Sequence, residues 1–150
     1  MTTSLRKITI VMADDDEDDR MFAREALEEN SLGGDLHFVD NGEQLLAYLR
    51  QEGAYAVPDS APFPGMILLD LNMPRMDGRE VLKEIKADPK LRRIPVVVLT
   101  SSAAHGDIFR SYDLGASSYI TKPVTFDGLV AAMRTLGMYW TELVELPDAE

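Results

Sequence analysis

The sequence predicts a doubly wound α/β domain, a five-stranded parallel sheet in the order 2-1-3-4-5 with five helices spread over both faces. Three observations predict it. Short apolar or β-branched runs alternate five times with stretches of helical pattern, the rhythm of parallel strands joined by right-handed crossovers. The runs are nearly continuous in hydrophobicity, most clearly "ITIVM" (8–12) and "IPVVVLT" (94–100), as suits strands covered on both faces. Polar residues stand at the carboxyl ends of these runs, where open parallel sheets place their sites.

Taken in order, "ITIVM" leads into a helix over 17–29, for which Asp16 is a good N-cap and the acids that follow suit the positive end of the helix dipole. "LHFV" (36–39) is the second strand, and "NGEQLLAYL" opens a helix over 42–51. The segment "EGAYAVPDSAPFPG" (52–65) carries three prolines and two glycines, so it reads as a surface loop. "MILLDL" (66–71) is the third strand, followed by a helix over 78–87 that "DGREVLKEIK" opens. "IPVVVLT" precedes a helix over 106–114, and "SSYIT" (117–121) precedes a last helix over 126–144. No internal repeat, low-complexity tract or linker interrupts this order, so residues 1–150 read as one domain, with a core over about 6–136 and a helical extension over about 137–146.

At 150 residues such a chain buries about 68–70% of its unfolded surface. Its hydrophobic fraction, 45%, is that of an ordinary globular protein. No apolar run approaches the roughly 18 residues that span a membrane, and the one near the N-terminus is too short for a secretory signal. The absence of cysteine excludes disulfides and thiolate chemistry and suits a reducing compartment. A net charge of −11 with no basic stripe argues against binding a phosphate backbone. The expectation is a cytoplasmic acidic domain with no nucleic-acid or membrane partner.

The six acids from Asp14 to Asp19, directly behind a buried strand, raise the question of why a compact protein would concentrate like charge there. In the order 2-1-3-4-5, strands 1 and 3 are neighbours, so Asp14, Asp15 and Asp70 converge at their ends. Thr100 and Lys122, ending strands 4 and 5, face them. Converging carboxylates are costly alone but suit a hard cation, and Mg2+ takes one or two carboxylates with waters and phosphate oxygens. Asp16 to Asp19 instead cap and solvate the first helix. His37 and His105 lack ligand spacing and read as surface or packing residues, and no serine has a histidine partner in a recognisable triad order.

The acids of "MADDDEDD", the block "ILLDLNMPRMDG", "PVVVLTSS" and "SSYITKP" together resemble the receiver domain of two-component response regulators, over 6 to about 136. The resemblance implies a flavodoxin-like fold, with Asp70 as phosphoacceptor. It implies Mg2+ on Asp14 (through a water), Asp15, Asp70 and the backbone carbonyl of Asn72. Lys122 would pair with the phosphoryl oxygens, Thr100 would hydrogen-bond one of them, and Tyr119 would swing inward as the threonine shifts. The Lys122–Pro123 bond is expected to be cis, since X-Pro bonds pay only about 0.5–1 kcal/mol for it. The protein would catalyse only its own phosphorylation and dephosphorylation, with a histidine kinase as partner.

No output domain is expected on the chain, and "ILLDLNMPRMDGREVLKEIKADPKLRRIPVVVLTSS" with the tail "GMYWTELVELP" is similar to the single-domain receivers of bacterial phytochrome kinases. An apolar stripe at 129, 132, 133, 136, 140 and 143 predicts a homodimer through the C-terminal face. Two other functions compete. A haloacid-dehalogenase-type enzyme also uses an aspartate nucleophile, lysine and Mg2+, but places a second aspartate where this chain has Asn72, and its metal-binding acids follow the nucleophile. A receiver-like interaction module that is never phosphorylated is the alternative, and the full set Asp14, Asp15, Asp70, Thr100 and Lys122 argues against it.

Overall fold

The computed structural model describes residues 9–29, 36–57, 61–71, 73, 76–100 and 105–121, and the single positions 127, 128, 131 and 134. Five parallel strands, β1 (Ile10–Ala13), β2 (Leu36–Val39), β3 (Met66–Leu69), β4 (Val96–Thr100) and β5 (Ser118–Thr121), form one sheet in the order β2-β1-β3-β4-β5. Four helices accompany them: α1 (Glu17–Glu29), α2 (Gly42–Arg50), α3 (Gly78–Ala87) and α4 (His105–Asp113). Asp127, Gly128, Ala131 and Arg134 are helical; the other residues of the expected last helix, and those of the expected extension over 137–146, lie outside the described residues.

Strand alternation divides the core in two. Val11, Ala13, Ile67, Leu69, Val96 and Val98 face one side and pack with buried residues of α2 and α3. Ile10, Met12, Met66, Leu68, Val97 and Leu99 face the other, where Ala23 and Phe22 of α1 cover them. Both faces are therefore buried, and the sequence could show near-continuous apolar runs in place of alternation.

The helix starts are fixed by side chains. The Asp16 carboxylate accepts from the amides of Asp18 and Asp19 at 2.9 and 3.1 Å, Asn41 from Gln44 at 2.9 Å, and Asp77 from Arg79 at 2.7 Å. Each satisfies an amide that has no partner within its own helix. The 52–65 segment is the expected loop, with a short 3-10 turn at Gly53–Tyr55 that the sequence did not signal. It is pinned where Tyr48 Oη donates to the Pro62 carbonyl at 2.7 Å and Gln51 Nε2 to that of Ala61 at 3.1 Å.

Lys86, in the last turn of α3, donates to the carbonyls of Arg92 and Ile94, both at 3.0 Å. Burial lowers its pKa from the usual 10.5, because a desolvated ammonium is disfavoured. The folded chain thus releases this proton before the unfolded one does. Stability is expected to rise with pH through the window from the lowered value up to 10.5, where the unfolded state binds more protons. Denaturant midpoints across that window should show a smaller rise in Lys86→Met than in the native chain; an equal rise would remove Lys86 as its source.

Candidate functional site

The register places the site. Ala13 lies opposite both Val39 and Leu69, so Asp14 and Asp70 leave neighbouring strands side by side. The ladder continues one step past the strands: the Asp14 amide donates to the Val39 carbonyl at 3.2 Å and the Asp70 amide to that of Ala13 at 3.0 Å. Both aspartates are thereby fixed by sheet geometry. Asp14 is fully buried and Asp70 is 8% exposed, while Asp15 is exposed. One oxygen from each of Asp14, Asp15 and Asp70 lies within 4.8 Å of the others, a group that could hold a metal ion.

Two full charges at about that separation repel by roughly 3–4 kcal/mol at an effective dielectric near 20. Local donors offset part of this. The Asp16 amide donates to Asp14 Oδ1 at 2.9 Å, and Thr100 Oγ1, fully buried at the end of β4, donates to Asp70 Oδ1 at 2.9 Å. An all-oxygen donor set mixing buried and exposed carboxylates fits a hard divalent cation that keeps some of its waters.

The wall behind Asp70 is the start of α3. Gly78 donates to the Leu71 carbonyl at 3.1 Å, and a Cβ at Gly78 would stand 2.5 Å from the Asp70 carbonyl oxygen and 2.7 Å from Leu71 Cα. From the same helical turn, Arg79 reaches Asp107 in the first turn of α4 at 2.6 Å, and Asp77 at 3.2 Å. Its hydrogen bond to Asp107 and the charges of both carboxylates raise its pKa against partial burial. A double-mutant cycle on Arg79→Ala and Asp107→Ala is expected to give a coupling of about 1 kcal/mol; additivity would show that the pair does not tie α4 to α3.

Tyr119 is half-buried against the larger core. It pairs with Val98, two register steps before Thr100 meets Thr121, so Tyr119 and Thr100 sit on the same face of the sheet. Its amide donates to Tyr112 Oη of α4 at 3.1 Å. Asn72, Lys122 and Pro123, and with them the expected cis bond, lie outside the described residues. His37 packs its ring 5.9 Å from that of Tyr48, in agreement with a packing role.

The sequence did not signal Arg20, whose Nε donates to the Asp14 carbonyl at 2.7 Å and whose guanidinium pairs with Asp40. Its spacing of four residues from Asp16 allows a local pair and points to nothing more distant. The bond to Asp14 spans six residues, whereas the pairing with Asp40 depends on β1 and β2 lying side by side.

A doubly wound sheet of order 2-1-3-4-5 belongs to the flavodoxin-like class, whose sites lie at the carboxyl edge where strand order reverses, and here that edge carries three acids and a threonine. The family model for the response regulator receiver domain matches residues 10–134, and the chain belongs to that family. It is 39% identical over 140 residues to the response regulator Rcp1 of Synechocystis, covering 93% of each chain. Among solved structures it is similar to the phosphorylated cyanobacterial phytochrome response regulator RcpA, with 43% identity, a TM-score of 0.88, and 95% of this chain and 100% of that one covered. It is likewise similar to the Mn2+-bound form of Rcp1, with 38% identity, a TM-score of 0.86, and coverage of 94% and 99%. These likenesses bear out the predicted family and fold. Among the described residues no helix is long and apolar enough to cross a membrane.

Proposed function

We propose that this chain is a response regulator that accepts a phosphoryl group from a histidine kinase onto Asp70, in a Mg2+-dependent reaction that switches its partner-binding face. The observation that carries the reading is the convergence of Asp14, Asp15 and Asp70 within 4.8 Å, with Thr100 hydrogen-bonded to Asp70. The Asp70 carboxylate is the nucleophile, held by the sheet ladder so that attack costs little reorganisation. Asp15, Asp70 and the Asn72 carbonyl, with Asp14 through a water, would hold Mg2+, which would supply positive charge to offset the negative charge of the transferring group. Lys122 pairs with the phosphoryl oxygens. Thr100 needs only to change acceptor, from Asp70 Oδ1 to a phosphoryl oxygen, and its shift opens space into which the Tyr119 ring turns.

The likeness to RcpA and Rcp1 supports a bacterial phytochrome kinase as the donor and a cytoplasmic setting. The apolar stripe through Leu129, Met133, Leu136 and Trp140 supports a homodimer through the C-terminal face, which sedimentation of the full chain against one ending near Gly137 would test. For the reaction itself, the test is incubation with an acyl phosphate or a phosphorylated histidine kinase, with and without Mg2+. Intact mass should rise by one phosphoryl group that hydroxylamine removes, and a chelator should block the rise. No uptake from either donor would overturn the reading and leave an interaction module.

A further inference from the structure

We propose that Arg20 is a positioning residue for this site, a clip that holds the turn carrying Asp14 and Asp15 against the turn between β2 and α2. The inference rests on reading the three acids as the cation and phosphoacceptor site.

Arg20 stands in α1 and its guanidinium makes two different bonds at once. Nε donates to the Asp14 carbonyl at 2.7 Å, and Nη2 pairs with Oδ1 of Asp40. Asp40 is itself anchored, because its amide donates to Gln44 Oε1 at 2.7 Å and its Oδ2 accepts from Gln44 Nε2 at 3.4 Å. The clip therefore ends on the first turn of α2, a fixed point of the fold. Phe38 of β2 lies under the guanidinium, 5.4 Å from its ring centre to the Arg20 carbon, and restricts the plane in which the fork can lie. Arg20 touches the backbone of Asp14, so it fixes where that carboxylate starts without competing for its oxygens.

A plainer role for Arg20 is as a counter-charge among the six acids. The two roles predict opposite signs. If Arg20 acts only by charge, removing it makes the site more negative and Mg2+ binds more tightly, and lysine replaces it without loss. If it acts by position, removing it weakens Mg2+ binding. Lysine then fails, because one ammonium cannot span both acceptors as the planar fork does.

The experiment is calorimetric titration of the full chain with Mg2+ alone, for the native protein, Arg20→Lys, Arg20→Met and Asp40→Asn. Amide exchange at Asp16 is followed in the metal-free state, since that amide is protected by Asp14 Oδ1. Both Arg20 variants are expected to lose about 10-fold or more in Mg2+ affinity, the usual cost of removing a group that orients a metal ligand. Exchange at Asp16 should quicken. Asp40→Asn, at a side chain 58% exposed, should keep the fold; because it removes a negative charge, weaker Mg2+ binding is expected of it in either role, and faster exchange at Asp16 is what decides the matter if Arg20→Met does not fold. Unchanged or tighter Mg2+ binding in Arg20→Lys, with native exchange at Asp16 in that variant and in Asp40→Asn, would overturn the clip. A native chain that takes up no Mg2+ would overturn the site reading and this inference with it, and the two failures are distinct because only the second appears in the unmodified protein.

Discussion

Asp70→Asn is expected to bring phosphoryl uptake to background while leaving the fold intact. The carboxamide matches the carboxylate in shape, and its oxygen can still accept from Thr100, which holds Asp70 Oδ1 at 2.9 Å in the native chain. What is lost is the negative charge, and with it the nucleophile and one cation ligand. Stability should move the other way. In metal-free buffer the variant no longer sets Asp70 against Asp14 and Asp15, and it is expected to be more stable by roughly 1 kcal/mol once screening at the exposed Asp15 is allowed for. Mg2+ should narrow that gap, because only the native site gains from it. Uptake by Asp70→Asn at the native rate would place the phosphoryl group elsewhere.

Gly78→Ala carries the second large effect, and its sign separates two arguments. Within a helix, alanine is favoured over glycine by about 1 kcal/mol, so propensity alone predicts a more stable protein. Packing predicts the reverse. The new methyl would meet the backbone of Asp70 at 2.5 Å and of Leu71 at 2.7 Å, and backbone tied to the end of a strand cannot swing aside as a side-chain tip can. Overpacking of this kind costs about 1–3 kcal/mol, and relief requires moving α3 or the end of β3. Either movement displaces Asp70, so Mg2+ affinity should fall along with the melting temperature. A variant more stable than the native chain, with unchanged Mg2+ binding, would show that α3 yields freely.

The parts of this molecule that sequence made legible are those with a local signature. Glu17–Glu29 and Gly78–Ala87 have the boundaries read from the sequence: Asp16 caps the first as expected, and the structure adds Asp77 as the cap of the second. Strand ends were harder to place. The first strand reaches Ala13, a residue with no β signature, because Val39 and Leu69 pair with it. The fourth begins at Val96 and not at Ile94, since Pro95 has no amide to give. Its carbonyl nevertheless accepts from Ile67 at 3.0 Å. The convergence of Asp14, Asp15 and Asp70 followed from strand order alone. Arg20 on Asp40, and Arg79 on Asp107, did not. Each joins residues brought near only by the sheet, through long side chains that show no periodicity in the sequence.

The bond from Tyr119 to Tyr112 has a consequence for how a partner can approach. β5 is one of the two outer strands of the sheet, and an outer strand offers its unpaired amides to any extended peptide laid alongside. At Tyr119 that amide is already given to a phenol from α4. A visiting strand would have to evict the Tyr112 ring before it could zip on, so this border is guarded by one of the domain's own aromatics. Beside it Phe109 stands 76% exposed. A partner docking on this flank would have to be held by side chains, because strand addition at Tyr119 is blocked.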